Sequence, residues 1–145
     1  MKHIHSYYSP NDLYNKILDG LNNLGKDLSA LTLDDLQPVD EFHIRGDTAT
    51  KELIKLSDFT PDMHILDVGC GVGGSTRRLS HESGCYVTGI DLSDEYIDTA
   101  ERLTQLLNLQ ERAKFHACSA LELPFDDNSF DGAWSIQMGM NIEDK

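Results

Sequence analysis

The length, composition and charge of the chain exclude several classes of protein. Its 145 residues are enough for one domain, because single domains commonly run to about 100–150 residues. Apolar residues make up 39% and charged residues 26%, which is typical of a folded globular chain and excludes a disordered or collagen-like one. The formal net charge of −13 has the wrong sign for neutralising phosphates, so we expect no nucleic-acid partner.

The chain also shows no signal for a membrane or for secretion. No apolar run approaches the roughly 20 residues of a membrane span, and residues 1–11 contain no hydrophobic stretch before a cleavage site. The three cysteines, Cys70, Cys85 and Cys118, have no metal-ligand spacing and leave one unpaired in any disulfide scheme. We therefore expect reduced cysteines, no metal site, no membrane partner and a cytoplasmic protein.

The first 45 residues predict a helical extension. From Asn11 to Gly25 the apolar residues recur at helical spacing, with Asn11 as the N-cap and Gly25 as the stop. The stripe consists of Leu13, Ile17, Leu21 and Leu24. The leucines from Leu28 to Leu36 predict a short second helix or a turn that ends at Pro38. We expect residues 1–45 to form a lid on a domain that spans residues 46–145.

From Asp47 onward, helices alternate with strands. The predicted elements are a helix from Asp47 to about Leu56, a strand at 64–68, a helix at 74–81, a strand at 85–90, a helix at 94–107, and strands at 114–118 and 131–137. Ser93 is the expected N-cap of the helix at 94–107. The apolar stripe of that helix is predicted to be Tyr96, Ala100, Leu103 and Leu107. Four strands joined by helices or long crossovers predict an α/β fold with a doubly wound parallel sheet.

The clearest chemical signal is the glycine-rich segment between the first predicted strand and the helix that follows it. Its sequence is Asp67-Val68-Gly69-Cys70-Gly71-Val72-Gly73-Gly74. Glycines let the backbone turn tightly and approach a ligand, and ligands bind at the carboxyl edge of such sheets. The spacing also matches the dinucleotide pattern G-x-G-x-x-G, but that match alone is weak. A P-loop is set aside, because Ser75 follows Gly74 where the pattern requires lysine.

Two acidic residues help to choose the ligand of this turn. Asp67 would repel a pyrophosphate but attract an ammonium group, such as the amino-acid end of S-adenosylmethionine carries. Asp91 ends the second strand, where a carboxylate can accept hydrogen bonds from both hydroxyls of a ribose. Leu92 can then lie against an adenine. These residues favour S-adenosylmethionine as cofactor over NAD, while structural turn-capping roles for Asp67 and Asp91 stay open.

Several motifs resemble those of class I S-adenosylmethionine-dependent methyltransferases. They are Asp67-x-Gly69-x-Gly71-x-Gly73, Gly89-Ile90-Asp91-Leu92-Ser93, and Leu123-Pro124-Phe125 with Phe130-Asp131. A wider pattern is similar to the small-molecule branch that includes sarcosine and dimethylglycine N-methyltransferases and ubiquinone-type C-methyltransferases: His43-Ile44-Arg45-Gly46, Ala49-Thr50, Trp134-Ser135 and residues 140–145. The resemblance implies a Rossmann-like fold and methyl transfer to a small-molecule acceptor, an amine or a quinol-like compound.

The resemblance also implies roles for individual residues of the turn. The backbone of Gly69, Cys70, Gly71 and Gly73 would hold the methionine moiety, with Asp67 near its amino group. Asp91 would then take the ribose. No residue is identified as a general base, because a sulfonium methyl group is already activated for transfer.

Four further residues are implied less directly. Ser119 and Ala120 occupy the position where such enzymes often have an Asp before Ala to hold the adenine amino group, so the resemblance implies a weaker contact here. Gln137 falls where relatives place a polar residue over the sulfonium, and Arg45 is a candidate partner for the ligand carboxylate. A solvent-facing Gln137 and a surface ion pair at Arg45 stay open as alternatives.

Enzymes of the kind resembled here carry a seven-stranded sheet, whereas the chain stops just past its fourth predicted strand. We therefore expect the amino-terminal portion of a longer enzyme, with the fourth strand as an exposed edge through which the chain either forms a homodimer or aggregates. Two rival functions stay open: an NAD-dependent oxidoreductase that uses the same glycine turn, and a non-catalytic interaction module that keeps the fold.

Overall fold

The helices and strands follow the predicted alternation. The computed structural model describes residues 13–40 and 46–135, with side chains at 13–36 and 50–135. The helices are α1 (Leu13–Asn23), α2 (Leu33–Asp40), α3 (Gly46–Ser57), α4 (Gly74–Ser83) and α5 (Asp94–Leu106). The strands are β1 (His64–Val68), β2 (Tyr86–Asp91), β3 (Ala113–Ala117) and β4 (Gly132–Ser135). None of the helices in these ranges is both long and apolar enough to cross a membrane.

The strands form one parallel sheet in the order β3-β2-β1-β4. The central strand β1 pairs with β2 from His64 opposite Tyr86 to Val68 opposite Ile90, and with β4 on its other side. The predicted α/β class and the predicted parallel sheet are confirmed. Because all strands run the same way, the segments that follow β1, β2 and β3 meet at one edge.

The main core lies between one face of the sheet and the helices α3, α4 and α5. Ile65 and Val87, from neighbouring strands, pack with Leu79 of α4 and with Trp134 of β4. A second cluster joins α5 to β3 and consists of Cys70, Ile97, Ala100, Ala113 and Phe115. Alternate residues of a strand point to the same face, which is why these side chains meet the helices together.

Aromatic rings cross the opposite face of the sheet. The ring of His64 lies 4.7 Å from that of Phe130, which lies 5.1 Å from Phe125. Phe125 in turn contacts His116 of β3, with a centroid distance of 5.2 Å. The two phenylalanines belong to the segment before β4, so they hold this segment across the sheet on the side away from α4 and α5.

The amino-terminal helices pack on the outside of α4 and α5. Ile17 and Leu21 of α1 and Leu36 of α2 are buried against Leu103 of α5. Asp34 of α2 pairs with Arg78 of α4 at 2.9 Å. These contacts account for the leucine pattern of the extension. Its predicted role as a lid stays a prediction, and the predicted N-cap Asn11 lies outside the described residues.

Two predictions within the helices are wrong. The second helix does not end at Pro38 but runs from Leu33 to Asp40. Its start is capped reciprocally, because the Thr32 hydroxyl accepts from the Asp35 amide and the Asp35 carboxylate accepts from the Thr32 amide. Tyr96 does not belong to the buried stripe of α5 and is 44% exposed. Ser93 caps the helix as predicted, and the buried stripe begins at Ile97.

Gly89 of β2 leaves room for two side chains above the sheet. A Cβ atom at this position would lie 2.7 Å from Oγ1 of Thr76 and 2.9 Å from Cβ of Cys70. We expect Gly89→Ala to lower the free energy of unfolding by about 1–3 kcal/mol, because overpacked cores must shift backbone or side chains.

The control is Gly20→Ala on the exposed side of α1, where a Cβ would meet nothing within 4 Å. Alanine there should raise the free energy of unfolding by about 0.5–1 kcal/mol. Denaturant unfolding of both variants measures the difference. Equal stability of Gly89→Ala and the wild-type chain would contradict the close approach of Thr76 and Cys70 to Gly89.

Candidate functional site

The loop that follows β1, here called the glycine loop (residues 69–73), is anchored to the end of β2. The backbone N–H groups of Gly69 and Cys70 both donate to the carbonyl oxygen of Ile90, each at 2.9 Å. The N–H of Gly73 closes the loop by donating to the Cys70 carbonyl at 3.0 Å. The loop therefore turns over the carboxyl edge of the sheet and leads directly into α4.

The backbone of the glycine loop requires glycine and leaves space above it. Gly69, Gly71 and Gly73 have φ angles of 75°, 58° and 92°, in the left-handed region that other residues rarely adopt. A Cβ atom added to Gly71 would meet no atom within 4 Å. The middle of the loop thus faces open space into which a ligand can come close to the backbone.

Asp91 at the end of β2 joins the glycine loop to the start of α5. One of its carboxylate oxygens accepts from the Gly71 amide and the other from the Ser93 amide, each at 3.0 Å. A carboxylate has about four lone-pair positions, so both oxygens keep the capacity to accept another hydrogen bond. The next side chain, Leu92, is 73% exposed beside this half-buried carboxylate.

Asp67 lies below the glycine loop and is only 1% exposed. The hydroxyls of Ser75 and Thr76, in the first turn of α4, both donate to the same carboxylate oxygen at 2.7 Å. Burial raises the pKa of Asp67 from 3.8 to about 6, although these two hydrogen bonds act in the opposite direction. The buried carboxylate thereby links the end of β1 to the helix that follows the loop.

The segment after β3 reaches the same edge of the sheet. The Cys118 amide donates to the Asp91 carbonyl at 2.9 Å, which places the following residues beside the end of β2. The Ser119 hydroxyl accepts from the Leu121 amide at 3.1 Å, and Ser119 and Ala120 are half-buried. The edge therefore brings together a loop backbone, a carboxylate, an exposed leucine and a hydroxyl.

The structure brings together most of the residues that the sequence predicts for the site. The side chain of Cys70 belongs to the core beside Phe115, so that residue borders the site only through its backbone. Arg45 and Gln137 lie outside the described residues. Within the described ranges, no group of three or more His, Cys, Asp or Glu side chains is arranged to hold a metal ion.

Three residues that support the site have no role assigned to them by the sequence predictions. Ser75 and Thr76 bond the buried carboxylate, and Gly89 leaves the room that Thr76 occupies. A glycine inside a strand of apolar residues is a known sign of close backbone approach, and hydroxyl residues in a first helical turn often bond nearby acceptors. These signals are present in the sequence, but they do not show which residue each of the three contacts.

Comparison with known proteins identifies the family. Residues 65–145 match the protein family described as "Methyltransferase domain". This match covers more than half of the chain, and the chain therefore belongs to that family. The resemblance inferred from the glycine and aspartate motifs is thereby confirmed.

Individual relatives carry related names. The chain is 41% identical over 90 residues to 2-methyl-6-phytyl-1,4-hydroquinone methyltransferase of Synechocystis sp., covering 62% of this chain and 27% of the relative. It is 32% identical over 145 residues to an O-methyltransferase of Penicillium expansum, covering 97% of this chain and 52% of the relative. The chain thus spans between about a quarter and a half of these relatives.

A solved structure of similar fold supports the same family. Geranyl diphosphate C-methyltransferase from Streptomyces coelicolor A3(2), solved with Mg2+, geranyl-S-thiolodiphosphate and S-adenosyl-L-homocysteine, aligns with a TM-score of 0.58 and 28% identity. The alignment covers 61% of this chain and 32% of that one. The Rossmann-like fold expected from the sequence is confirmed.

The raised pKa of Asp67 predicts a specific dependence of stability on pH. The carboxyl group titrates at about 6 in the folded chain and near 3.8 when exposed, so between these values only the folded chain holds the proton. The free energy of unfolding should therefore fall as the pH rises from about 4 to about 6, by up to about 3 kcal/mol. Asp67→Asn should lack this fall.

Unfolding in denaturant can be followed by the fluorescence of Trp134, the single tryptophan, which lies opposite Asp67 in the pairing of β1 with β4. The difference between the unchanged chain and Asp67→Asn isolates Asp67, because the other groups titrate in both. Parallel pH profiles would mean that the carboxyl group has an ordinary pKa.

Proposed function

We propose that the chain forms the S-adenosylmethionine-binding portion of a methyltransferase that transfers a methyl group to a small-molecule acceptor by in-line displacement. The observation that carries this proposal is the pairing of Asp91 with the open glycine loop. A carboxylate bonded to the Gly71 amide stands beside backbone that a ligand can approach, and an exposed Leu92 follows it. The residues present fit a nucleoside ligand that has free ribose hydroxyls.

Each part of the cofactor has a proposed partner at the edge of the sheet. The backbone of the glycine loop holds the methionine moiety, and the spare acceptor positions of Asp91 take the ribose hydroxyls. Leu92 covers one face of the adenine, since its side chain is exposed and apolar. Ser119 offers a hydroxyl toward the adenine edge, and Ala120 lines the same wall.

The charges near the glycine loop favour this cofactor over a dinucleotide. Asp91 touches the loop directly and Asp67 lies below it, so a pyrophosphate in the loop would face two carboxylates. The ammonium group of a methionine moiety has the opposite charge and is attracted by both. As the pH rises through about 6, Asp67 loses its proton and adds negative charge, which strengthens the preference.

The cofactor supplies a sulfonium methyl group that is already activated for transfer. The work left to this chain is to hold the ligand in one orientation and to keep water away from it, which can account for much of the rate of such reactions. We propose a quinol-like or amine acceptor, and the name of the Synechocystis relative, a hydroquinone methyltransferase, supports the quinol-like class.

Four further assignments are proposals that rest on the sequence. They are an ion pair between Arg45 and the ligand carboxylate, Gln137 over the sulfonium, a cytoplasmic location and a homodimer formed through β4. The three cysteines are free thiols, which supports the cytoplasmic location, and the position of β4 at the edge of the described sheet supports the dimer.

Calorimetry and a transfer assay test the proposed function together. The chain should bind S-adenosylhomocysteine and should not bind NADH. Incubation with S-adenosylmethionine that carries a labelled methyl group should label an acceptor from a panel of quinols, phenols and amines. Binding of NADH without binding of S-adenosylhomocysteine would overturn the proposal, and cofactor binding without transfer by the full-length protein would favour a non-catalytic module.

The role of Asp91 predicts a large loss of affinity on truncation. Asp91→Ala removes both acceptors for the ribose and the bond to the Gly71 amide, so we expect a loss of about 1.5–3 kcal/mol in binding free energy. The dissociation constant for S-adenosylhomocysteine should rise by roughly tenfold or more.

The matched control is Asp94→Ala, which removes an exposed carboxylate from the first turn of α5, three residues further along the chain. It changes the net charge equally and should leave the affinity within about twofold, as expected of an exposed charge. A folded Asp91→Ala chain that binds as tightly as Asp94→Ala would show that the ribose lies elsewhere.

A further inference from the structure

Arg77 of α4 is a fully buried cation directly behind the glycine loop. We propose that Arg77 is a positioning residue, which holds the glycine loop and α5 at the separation that the cofactor site requires. The proposal rests on the proposed function for its effect on affinity, but its effect on the loop itself can be measured without any ligand.

The guanidinium group touches the last residue of the glycine loop. Arg77 is 0% exposed, and a Cβ atom added to Gly73 would lie 2.8 Å from its Nη1 atom. The same Cβ would lie 2.8 Å from Cζ of Phe115, so the guanidinium and this ring together support the loop from below. The loop cannot sink toward the sheet while both groups are in place.

The same nitrogen atom holds α5. Nη1 of Arg77 donates to the Ala100 carbonyl at 3.3 Å and to the Thr104 hydroxyl at 3.1 Å. Thr104 is itself 1% exposed, so this contact is shielded from water. One side chain therefore contacts both the glycine loop, which follows β1, and the helix that begins just after β2.

The separation of these two elements determines the geometry of the proposed site. The loop supplies the backbone for the methionine moiety, whereas Asp91 and Leu92 precede α5 and supply the ribose and adenine contacts. At the surface the two elements meet through the bond from the Gly71 amide to Asp91. Arg77 joins them a second time in the interior, where a shift of α5 would be transmitted to the loop.

Packing alone does not account for an arginine at this position. Burying a charge is unfavourable unless hydrogen bonds and opposite charges compensate, and an apolar side chain of similar length would fill the space at less expense. Burial raises the pKa of the Cys70 thiol, Asp67 and Asp91 raise it further, and Arg77 lowers it. The cation therefore lies within electrostatic range of the same thiol as both site carboxylates.

Arg77→Met removes the charge and the donors while keeping a long side chain. The matched control is Arg78→Met at the next residue, which is also buried, at 6% exposure, but pairs with Asp34 and Glu82 away from the loop. Thr104→Val and Thr104→Ser form a second pair, in which only valine removes the hydroxyl that accepts from Arg77.

Two measurements read out the position of the loop. In Arg77→Met, hydrogen exchange of the Gly71 and Gly73 amides should be roughly tenfold faster, while the Val87 amide in β2 keeps its rate. The dissociation constant for S-adenosylhomocysteine should rise by a similar factor. Arg78→Met should leave both quantities unchanged.

The Thr104 variants give a second test of the same contact. Thr104→Val should change loop exchange and affinity in the same direction as Arg77→Met, whereas Thr104→Ser should resemble the wild-type chain. The effects of Arg77→Met and Thr104→Val should not add in the double variant.

The outcomes separate this inference from the proposed function. Faster loop exchange in a chain that binds no S-adenosylhomocysteine would overturn the proposed function and leave the positioning role standing. Unchanged loop exchange in a folded Arg77→Met chain, or an equal rise at Val87, would overturn the positioning role. If Arg77→Met does not fold, the Thr104 pair decides: equal loop exchange in Thr104→Val and Thr104→Ser would overturn the inference.

Discussion

The hydrogen bond from the Gly71 amide to the Asp91 carboxylate is the interaction on which the site depends. It joins a loop that follows β1 to the residue that ends β2, and it places a negative charge beside the most open part of the glycine loop. The parallel sheet makes this contact geometrically available, because both strands end at the same edge. Without this bond, no direct contact would hold the glycine loop beside the Asp91 carboxylate.

A layer of buried polar groups supports this edge from below. Asp67 receives two hydroxyl hydrogen bonds from the first turn of α4, and Arg77 of the same helix donates to α5. Buried polar groups are unfavourable unless they are paired, so each group constrains the position of its partner. The first turn of α4 is therefore held to β1 through Ser75 and Thr76, and to α5 through Arg77.

The amino-terminal extension and the loop before β4 are attached to this frame largely by contacts of apolar and aromatic side chains, to which the extension adds the ion pair of Asp34 with Arg78. The leucines of α1 and α2 pack on Leu103, and the phenylalanines before β4 cross the opposite face of the sheet. Apolar contacts of this kind are less directional than the hydrogen bonds under the glycine loop. The hydrogen bonds of Asp67 and Asp91 thus lie together at the carboxyl edge, where we propose that the cofactor binds.

The sequence by itself determined the local features. Strand β1 matches its predicted bounds, Ser93 caps α5 as expected, and the Asp67 to Gly74 segment forms the predicted turn, because each is encoded by neighbouring residues. Tertiary structure decided which residues meet across strands and helices. The burial of Asp67, the room left by Gly89 and the contacts of Arg77 arise from residues up to 27 positions apart. No local pattern names such partners, since packing selects them only when the sheet and its helices have assembled.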